Sequence, residues 1–156
     1  QGGFGFNASY KGFFFDALFT YAYGAYKFDT DYAGLMDARN IGNFPGSTDL
    51  FNAWTPDNTN TNVPALNNTN FDLGDISDRF LRDASYLRLR NLTVGYSIPA
   101  KYLEKAKINS IRLRLQAENY LTFTNWKGFD PEAYVISQTG NYPTPKIVTF
   151  GLDVNF

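Results

Sequence analysis

The chain has 156 residues, of which 44% are hydrophobic and 18% are aromatic. Lys and Arg number 14 against 15 Asp and Glu, which gives a formal net charge of -1, and neither Cys nor His is present. This balance argues against a nucleic-acid binder, which needs a basic surface. Without Cys and His there is no disulfide framework, no thiolate metal site and no Ser-His or Cys-His catalytic pair.

The start of the chain is already typical of a strand. The sequence contains no run of about 18 apolar residues, so it predicts no transmembrane helix. No signal peptide precedes the strand that begins near Gly2. We therefore expect the sequence to begin inside a longer protein. The unusually high aromatic content favours a membrane β-barrel, in which Tyr and Trp rings lie at the lipid interface.

Five segments alternate apolar and polar residues, which is the period of a half-buried β-strand. They predict strands at about residues 2–11, 13–27, 84–98, 110–125 and 146–156. Lys11-Gly12 has the composition of a two-residue hairpin turn between the first two strands. In the third strand the apolar parity changes near Arg90-Asn91, which predicts a β-bulge at that point.

The connections between the predicted strands alternate in length. Lys11-Gly12 and residues 99–109 are short, whereas the loops at about residues 28–83 and 126–145 are long. This layout is typical of an outer-membrane barrel. Five strands are fewer than the about 8 of the smallest barrels, and unpaired sheet edges are unfavourable in lipid. We predict an all-β fold: an antiparallel transmembrane sheet that further strands, from the same or another chain, must close.

A longer segment resembles a known family. Ser77–Pro99, with the sequence SDRFLRDASYLRLRNLTVGYSIP, resembles the C-terminal part of the SusC/RagA-type TonB-dependent outer-membrane transporters. Further family-like segments follow the family's order: Trp54–Asn58 with Val63-Pro64, Asn119–Thr124 leading into Gly128–Glu132, and Tyr142–Pro145 before Phe150–Leu152 and Phe156. Ala65 and Lys146 stand where the family often has Arg.

The resemblance implies the fold, the location and the partners. The chain would be the last part of a plugged barrel of about 22 strands in the outer membrane of a Gram-negative bacterium. The barrel would import a large nutrient, either a glycan or an oligopeptide. Its partners would be the remaining barrel and the plug, TonB acting through that plug, a SusD-like surface lipoprotein, the outer-membrane assembly machinery and membrane lipid. The plug is absent from this sequence, and no cofactor is implied.

Charged residues share the polar parity of the strands. A charge facing lipid at the bilayer midplane costs about 2–4 kcal/mol, so we expect these residues to face the barrel interior: Arg88, Arg90, Arg112, Arg114 and Glu118. They would line the pathway, contact the plug or form a charge network within the wall. If the register places Arg90 opposite Glu118, the two would form an ion pair.

The long loops and the last strand supply the remaining candidates. Aromatic residues suited to stacking on a sugar ring or contacting the lipoprotein are Tyr32, Trp54, Trp126, Tyr134 and Tyr142; packing within the loops is the other interpretation. Asp72, Asp75 and Asp78 would offer oxygen ligands to calcium, but they lack the EF-hand spacing and acidic loops are common, so no metal site is predicted and calcium in this loop stays open. Phe150, Leu152, Val154 and Phe156 resemble the C-terminal assembly signal, although Phe156 alone would also serve as a lipid anchor.

Two other functions stay open at this point. A soluble carbohydrate-binding β-sandwich with exposed aromatic residues would show the same alternation. An outer-membrane enzyme would have to rely on carboxylates such as Asp130 and Glu132, and Pro131 between them gives no sign of a glycosidase geometry. We therefore predict no catalytic residues.

Overall fold

The computed structural model describes residues 1–67, 78–133 and 143–156. Five strands form one sheet in the order β1-β2-β5-β6-β7, and every neighbouring pair is antiparallel. The strands are β1 (Gly2–Tyr10), β2 (Phe13–Ala22), β5 (Tyr86–Ile98), β6 (Ser110–Thr124) and β7 (Ile147–Asn155). The predicted all-β antiparallel sheet is therefore confirmed.

The hairpin between β1 and β2 turns within two residues. Lys11 and Gly12 both have positive φ, of 48° and 90°, as the type I′ turn of a two-residue hairpin requires. Tyr10 pairs with Phe13 across the turn. A side chain at Gly12 would stand 2.7 Å from the carbonyl oxygen of Ser97, so the position requires glycine for space as well as for conformation.

The predicted bulge lies at Arg90. Leu89 and Asn91 both have partners in β2 and β6, whereas Arg90 has none in either ladder. The neighbouring strand β6 carries its own irregularity at Asn119, whose φ is 53°. Because the side-chain period of a strand is two, one extra residue returns Leu89 and Leu92 to the same face.

The register separates the sheet into an apolar face and a polar face. The apolar face carries no charged side chain; besides Ala8, Ala17 and Ala117, its side chains are those of Phe4, Phe6, Tyr10, Phe13, Phe15, Phe19, Tyr21, Leu87, Leu89, Leu92, Val94, Tyr96, Ile98, Ile111, Leu113, Leu115, Leu121, Phe123, Val148, Phe150, Leu152 and Val154. Many of these large side chains are exposed. An exposed apolar patch of this extent marks a contact with lipid or protein.

The first long loop contains a small folded unit. Two short strands, β3 (Tyr26–Phe28) and β4 (Leu81–Asp83), pair outside the main sheet, and helix α1 (Thr30–Leu35) follows β3. Among its described residues, the hydrophobic core of this loop unit consists of Ala33, Met36, Leu50, Ala53, Val63 and Phe80. The predicted second strand, 13–27, is thus too long: β2 ends at Ala22, and Gly24 turns the chain with a φ of 66°.

The opposite end of the sheet is compact. Between β5 and β6 the chain makes two 3₁₀ turns, at Ala100–Tyr102 and Glu104–Ala106, and Leu103 between them is buried. Within residues 1–67, 78–133 and 143–156, no helix has both the length and the apolar character needed to cross a membrane.

Gly95 provides a test of the packing of this sheet. A Cβ at Gly95 would overlap the Phe14 ring from β2 and lie 2.5 Å from the carbonyl oxygen of Leu113. We expect Gly95→Ala to lower the free energy of unfolding of the full-length receptor by about 1–3 kcal/mol, as overpacking does. This free energy is measured by urea unfolding, with the folded fraction followed by the gel shift of the folded barrel.

The matched control is Gly34→Ala in α1, where an added Cβ meets nothing within 4 Å. This change should leave the unfolding midpoint unaltered or raise it slightly, because alanine favours a helix. Equal midpoints for both variants and the wild type would contradict the packing of Phe14 on Gly95.

Candidate functional site

A buried ion pair lies where the polar face meets the second long loop. Arg88 of β5 is 3% exposed and Asp130 is 4% exposed. The Nη2 atom of Arg88 lies 2.6 Å from Oδ1 of Asp130, and its Nη1 donates to Oδ2 at 3.3 Å. Two parallel hydrogen bonds of this kind fix the carboxylate in one orientation on the guanidinium plane.

Glu132 joins the same cluster two residues later. Its Oε2 lies 2.5 Å from Nη1 of Arg88, and its Oε1 lies 2.5 Å from Nη2 of Arg90. The Tyr86 hydroxyl also donates to Oε1 at 2.6 Å. Arg90 occupies the bulge, where it is free of the ladder, and Nη2 also reaches the hydroxyl of Thr20 on the polar face at 3.4 Å.

Asp130 also holds the end of the loop. The backbone N–H of Thr144 donates to Oδ2 at 2.9 Å and the Thr144 hydroxyl donates to the same atom at 2.7 Å. The backbone N–H of Glu132 donates to Oδ1 at 2.9 Å. One carboxylate therefore binds Arg88 of the sheet and residues near both ends of the second long loop. We name Arg88, Arg90, Asp130 and Glu132 the loop clamp.

The electrostatics of the loop clamp keep Asp130 charged. Burial by itself raises the pKa of Asp130. Hydrogen bonds from Arg88, Thr144 and the Glu132 backbone together lower it by more, so the pKa of Asp130 lies well below its usual range. Two guanidinium groups balance two carboxylates, so the cluster has no net charge. Because the pKa of Asp130 is lowered, this carboxyl is not placed as the protonated acid that a glycosidase needs.

Lys27 connects the first long loop to the second. Its Nζ donates to the carbonyl oxygen of Ala133 at 2.5 Å and lies 5.8 Å from the centroid of the Trp126 ring. Burial lowers the pKa of Lys27, while the nearby charges of Asp130 and Glu132 act in the opposite direction. The loop unit and the loop clamp are thereby tied together.

The five predicted wall residues all lie on the polar face or its bulge, as one pair of arginines towards each end of the sheet with Glu118 between the pairs. Arg88 and Arg90 lie at the long-loop end, in the loop clamp. Arg112 and Arg114 lie towards the short-turn end, where the guanidinium of Arg112 lies 5.4 Å from the Phe14 ring centroid. The pairing of Arg90 with Glu118 is wrong, because the register places Asn91 opposite Glu118.

The predicted loop aromatics divide into packed and exposed residues. Tyr32 packs on Phe80 at 6.0 Å between ring centroids, and its hydroxyl donates to Asp49 at 2.6 Å. Trp126 is partly covered beside Lys27, whereas Trp54 is exposed. Tyr134 and Tyr142 lie outside the described residues, as do Asp72 and Asp75; among the residues that the structure describes, no cluster of acidic side chains could hold a metal.

Two features of the loops did not emerge from the sequence. Asp130 and Glu132 are the partners of Arg88 and Arg90, and the signal was their acid-Pro-acid spacing just beyond the end of β6. The second feature is an exposed apolar patch on the loop unit, formed by Ile41, Phe44, Phe51 and Leu66. We name these four residues the loop patch.

Comparison with known proteins identifies relatives of this chain. No family model matches it. TonB-dependent receptor P3 of Formosa agariphila is 36% identical over an alignment of 124 positions, which covers 70% of this chain and 12% of that receptor. TonB-dependent receptor P39 of the same organism is 30% identical over 170 aligned residues, covering 99% of this chain and 16% of the receptor.

Solved structures show the same fold. The RagAB peptide importer matches in its closed-closed state and in its open-open state, each with a TM-score of 0.86 and 35% identity. Each match covers 99% of this chain and 17% of the importer chain.

Together, the sheet and these matches define the class of protein. An antiparallel sheet with one uncharged apolar face, one charged face and long loops at one end is a wall segment of an outer-membrane β-barrel. The chain belongs to the SusC/RagA-type TonB-dependent receptors, as its sequence predicts. It spans between 12% and 17% of the length of the relatives that it matches.

The loop clamp can be tested by removing one charge. Asp130→Asn keeps the shape of the side chain but leaves Arg88 buried without its first partner, and breaking a buried pair costs about 3–5 kcal/mol. We expect residues 126–133 and 143–146 to exchange amide hydrogens faster and to be cleaved sooner by protease in the full-length receptor.

The control is Asp153→Asn, an exposed position of β7 near the other end of the sheet. Its exchange pattern should match that of the wild type. If Asp130→Asn proves as protected as Asp153→Asn, the ion pair does not hold the loop.

Proposed function

We propose that this chain forms wall and extracellular loops of a TonB-dependent transporter that imports large nutrients, with oligopeptides as the first substrate class to test. The observation that carries the proposal is the match of 99% of the chain to the RagAB peptide importer at 35% identity. A glycan is the second substrate class, because exposed loop aromatics such as Trp54 also suit sugar rings.

In this proposal the polar face lines the barrel interior. Arg112, Arg114 and Glu118 lie there, away from the loop clamp, and contact the plug or the transport pathway. The apolar face contacts lipid. Because it carries no charged side chain, no charge has to be placed in the hydrocarbon region. TonB acts on the plug and not on the residues of this chain.

The loop clamp keeps the rim of the barrel fixed while other parts move. Asp130 holds the loop at Glu132 and Thr144, and Arg88 anchors it to β5. The equal TM-scores to the closed-closed and open-open states support a wall segment of constant shape. Substrate would then pass a rigid rim whose charges are already paired.

The loop patch is the proposed contact for a SusD-like lipoprotein. Phe51 is 92% exposed and Phe44 is 69% exposed, although both lie on a loop that faces water. Apolar side chains grouped in this way mark protein contacts. Trp54 extends the contact, whereas Tyr32 and Trp126 serve as packing anchors within the loops.

The last strand carries the proposed assembly signal. Phe150, Leu152 and Phe156 are exposed, and β7 pairs with β6 along one edge only among the described residues. An unpaired edge can add a strand of the assembly machinery before it closes on the first strand of the barrel.

A soluble carbohydrate-binding sandwich is the weaker candidate. A sandwich buries the apolar face of one sheet under a second sheet. Within the described part of the chain, the second sheet is only the pair β3 and β4 in the loop unit, and the apolar face of the main sheet stays exposed.

Uptake and partner binding test the transporter proposal together. The full-length receptor, expressed with its lipoprotein, should take up labelled oligopeptides in a TonB-dependent manner. Phe44→Ser with Phe51→Ser should weaken lipoprotein binding about tenfold or more, because exposed aromatic anchors dominate such contacts. Co-purification and titration of the purified partners measure the binding.

The control is Tyr102→Ser, which removes an equally exposed aromatic residue at the opposite end of the sheet. It should leave lipoprotein binding unchanged. Uptake of oligosaccharides alone would overturn the peptide assignment, and equal binding by all variants would remove the loop patch from the interface.

Deletion of Phe156 tests the assembly signal. The amount of folded barrel in the outer membrane should fall several-fold, because the terminal ring no longer engages the machinery during strand addition. Heat-modifiable mobility on gels separates folded from unfolded protein. Leu18→Ala, which shortens an apolar side chain on the polar face of β2, serves as the control; unchanged assembly on deletion of Phe156 would refute the signal.

A further inference from the structure

The short-turn end of the sheet concentrates positive charge. Residues 10–13 and 99–109 contain four lysines and one glutamate: Lys11, Lys101, Lys105, Lys107 and Glu104. Residues 28–67 of the loop unit have the opposite balance, with five aspartates and one arginine. The formal charges of these two segments are therefore +3 and -4, so they are opposite in sign.

Two of these lysines lie beside exposed aromatic rings. The Nζ atom of Lys11 is 5.1 Å from the ring centroid of Tyr10, and that of Lys101 is 4.8 Å from the centroid of Tyr102. Tyr10 is 70% exposed and Tyr102 is 67% exposed. Tyr10 belongs to the apolar face, so the ammonium group of Lys11 lies at the border between that face and water.

The backbone holds both turns in place. Lys11 has a left-handed φ of 48° in the tight hairpin, and the Gly12 carbonyl accepts a hydrogen bond from the Ser97 N–H at 2.8 Å. Beside the hairpin, Phe13 packs on Tyr96 with 4.5 Å between ring centroids. In the second turn the buried Leu103 fixes the segment that carries Lys101. The charges are thus presented by rigid turns.

We propose that these turns bind the phosphate groups of anionic phospholipids in the inner leaflet of the outer membrane. The long loops of such barrels face the exterior, so the short turns lie at the inner leaflet. Tyrosine rings settle at the level of the headgroups, and lysine stems extend along them to place the ammonium group on a phosphate. A free anion in water would gain nothing from the exposed rings, so the geometry favours a lipid.

This inference is independent of what the receptor imports. It depends only on the barrel fold and on which end of the sheet faces the inner leaflet. Loss of uptake would therefore leave it intact, and loss of lipid binding would leave the transporter proposal intact.

The test uses the purified full-length receptor after delipidation. Native mass spectrometry would measure binding of phosphatidylglycerol, with phosphatidylcholine as the neutral lipid. Lys11→Gln combined with Lys101→Gln should weaken phosphatidylglycerol binding about 30-fold, from the usual contribution of two interfacial lysines. Lys11→Arg with Lys101→Arg should retain binding, and the gel shift of the folded barrel verifies each variant.

The matched control is Lys146→Gln. Lys146 also lies near a tyrosine, with Nζ 5.8 Å from the Tyr120 ring centroid, but it precedes β7 in the long-loop half of the sheet. Its substitution should leave phosphatidylglycerol binding unchanged. Equal loss in this control, equal affinity of all variants, equal binding of phosphatidylcholine, or displacement by inorganic phosphate at millimolar concentration would each overturn the proposal.

Discussion

The alternation of side chains across β5 is the constraint on which the rest of this structure depends. A strand that changes register by one residue moves every later side chain to the other face of its sheet. The bulge at Arg90 absorbs one such step, so the leucines before and after it stay on the apolar face. Arg88 consequently stays on the polar face, where Asp130 can reach it.

The buried pair of Arg88 and Asp130 has a structural role that its energy alone does not explain. Removing two charges from water is unfavourable, and the attraction between them roughly offsets that cost. The pair nevertheless accepts only one arrangement, because two hydrogen bonds join planar groups and Thr144 adds two more. It therefore gives the loop residues around Asp130 and Thr144 a single position on the wall.

Local periodicity made much of the sheet predictable. Five strands, the Lys11-Gly12 hairpin and the bulge near Arg90 all follow from patterns within about ten residues, which a sequence displays directly. The end of β2 was misplaced because apolar residues continue past Gly24, whose positive φ ends the strand. The core of the loop unit depends on contacts between distant residues such as Met36 and Phe80, which no period reveals.

The loop clamp shows the same limit for the site. The sequence indicated that Arg88 and Arg90 lie on the polar face, but their partner, Glu132, lies some 42 residues further along the chain. The sequence prediction compared only neighbouring strands, so it considered Glu118 of β6 as the partner of Arg90. The correct partner lies in the loop segment just beyond β6, which the pairing of strands does not include.

The hydrogen bond from Lys27 to Ala133 has a consequence for how such receptors diversify. It joins residue 27, at the start of the first long loop, to residue 133 in the second, although the two are far apart in sequence. A recombination event that exchanged only the first loop between receptors would separate Lys27 from the second-loop segment that contains its hydrogen-bond acceptor, the Ala133 carbonyl. The segments around Lys27 and Ala133 should therefore be inherited together, with the strands between them as the common frame.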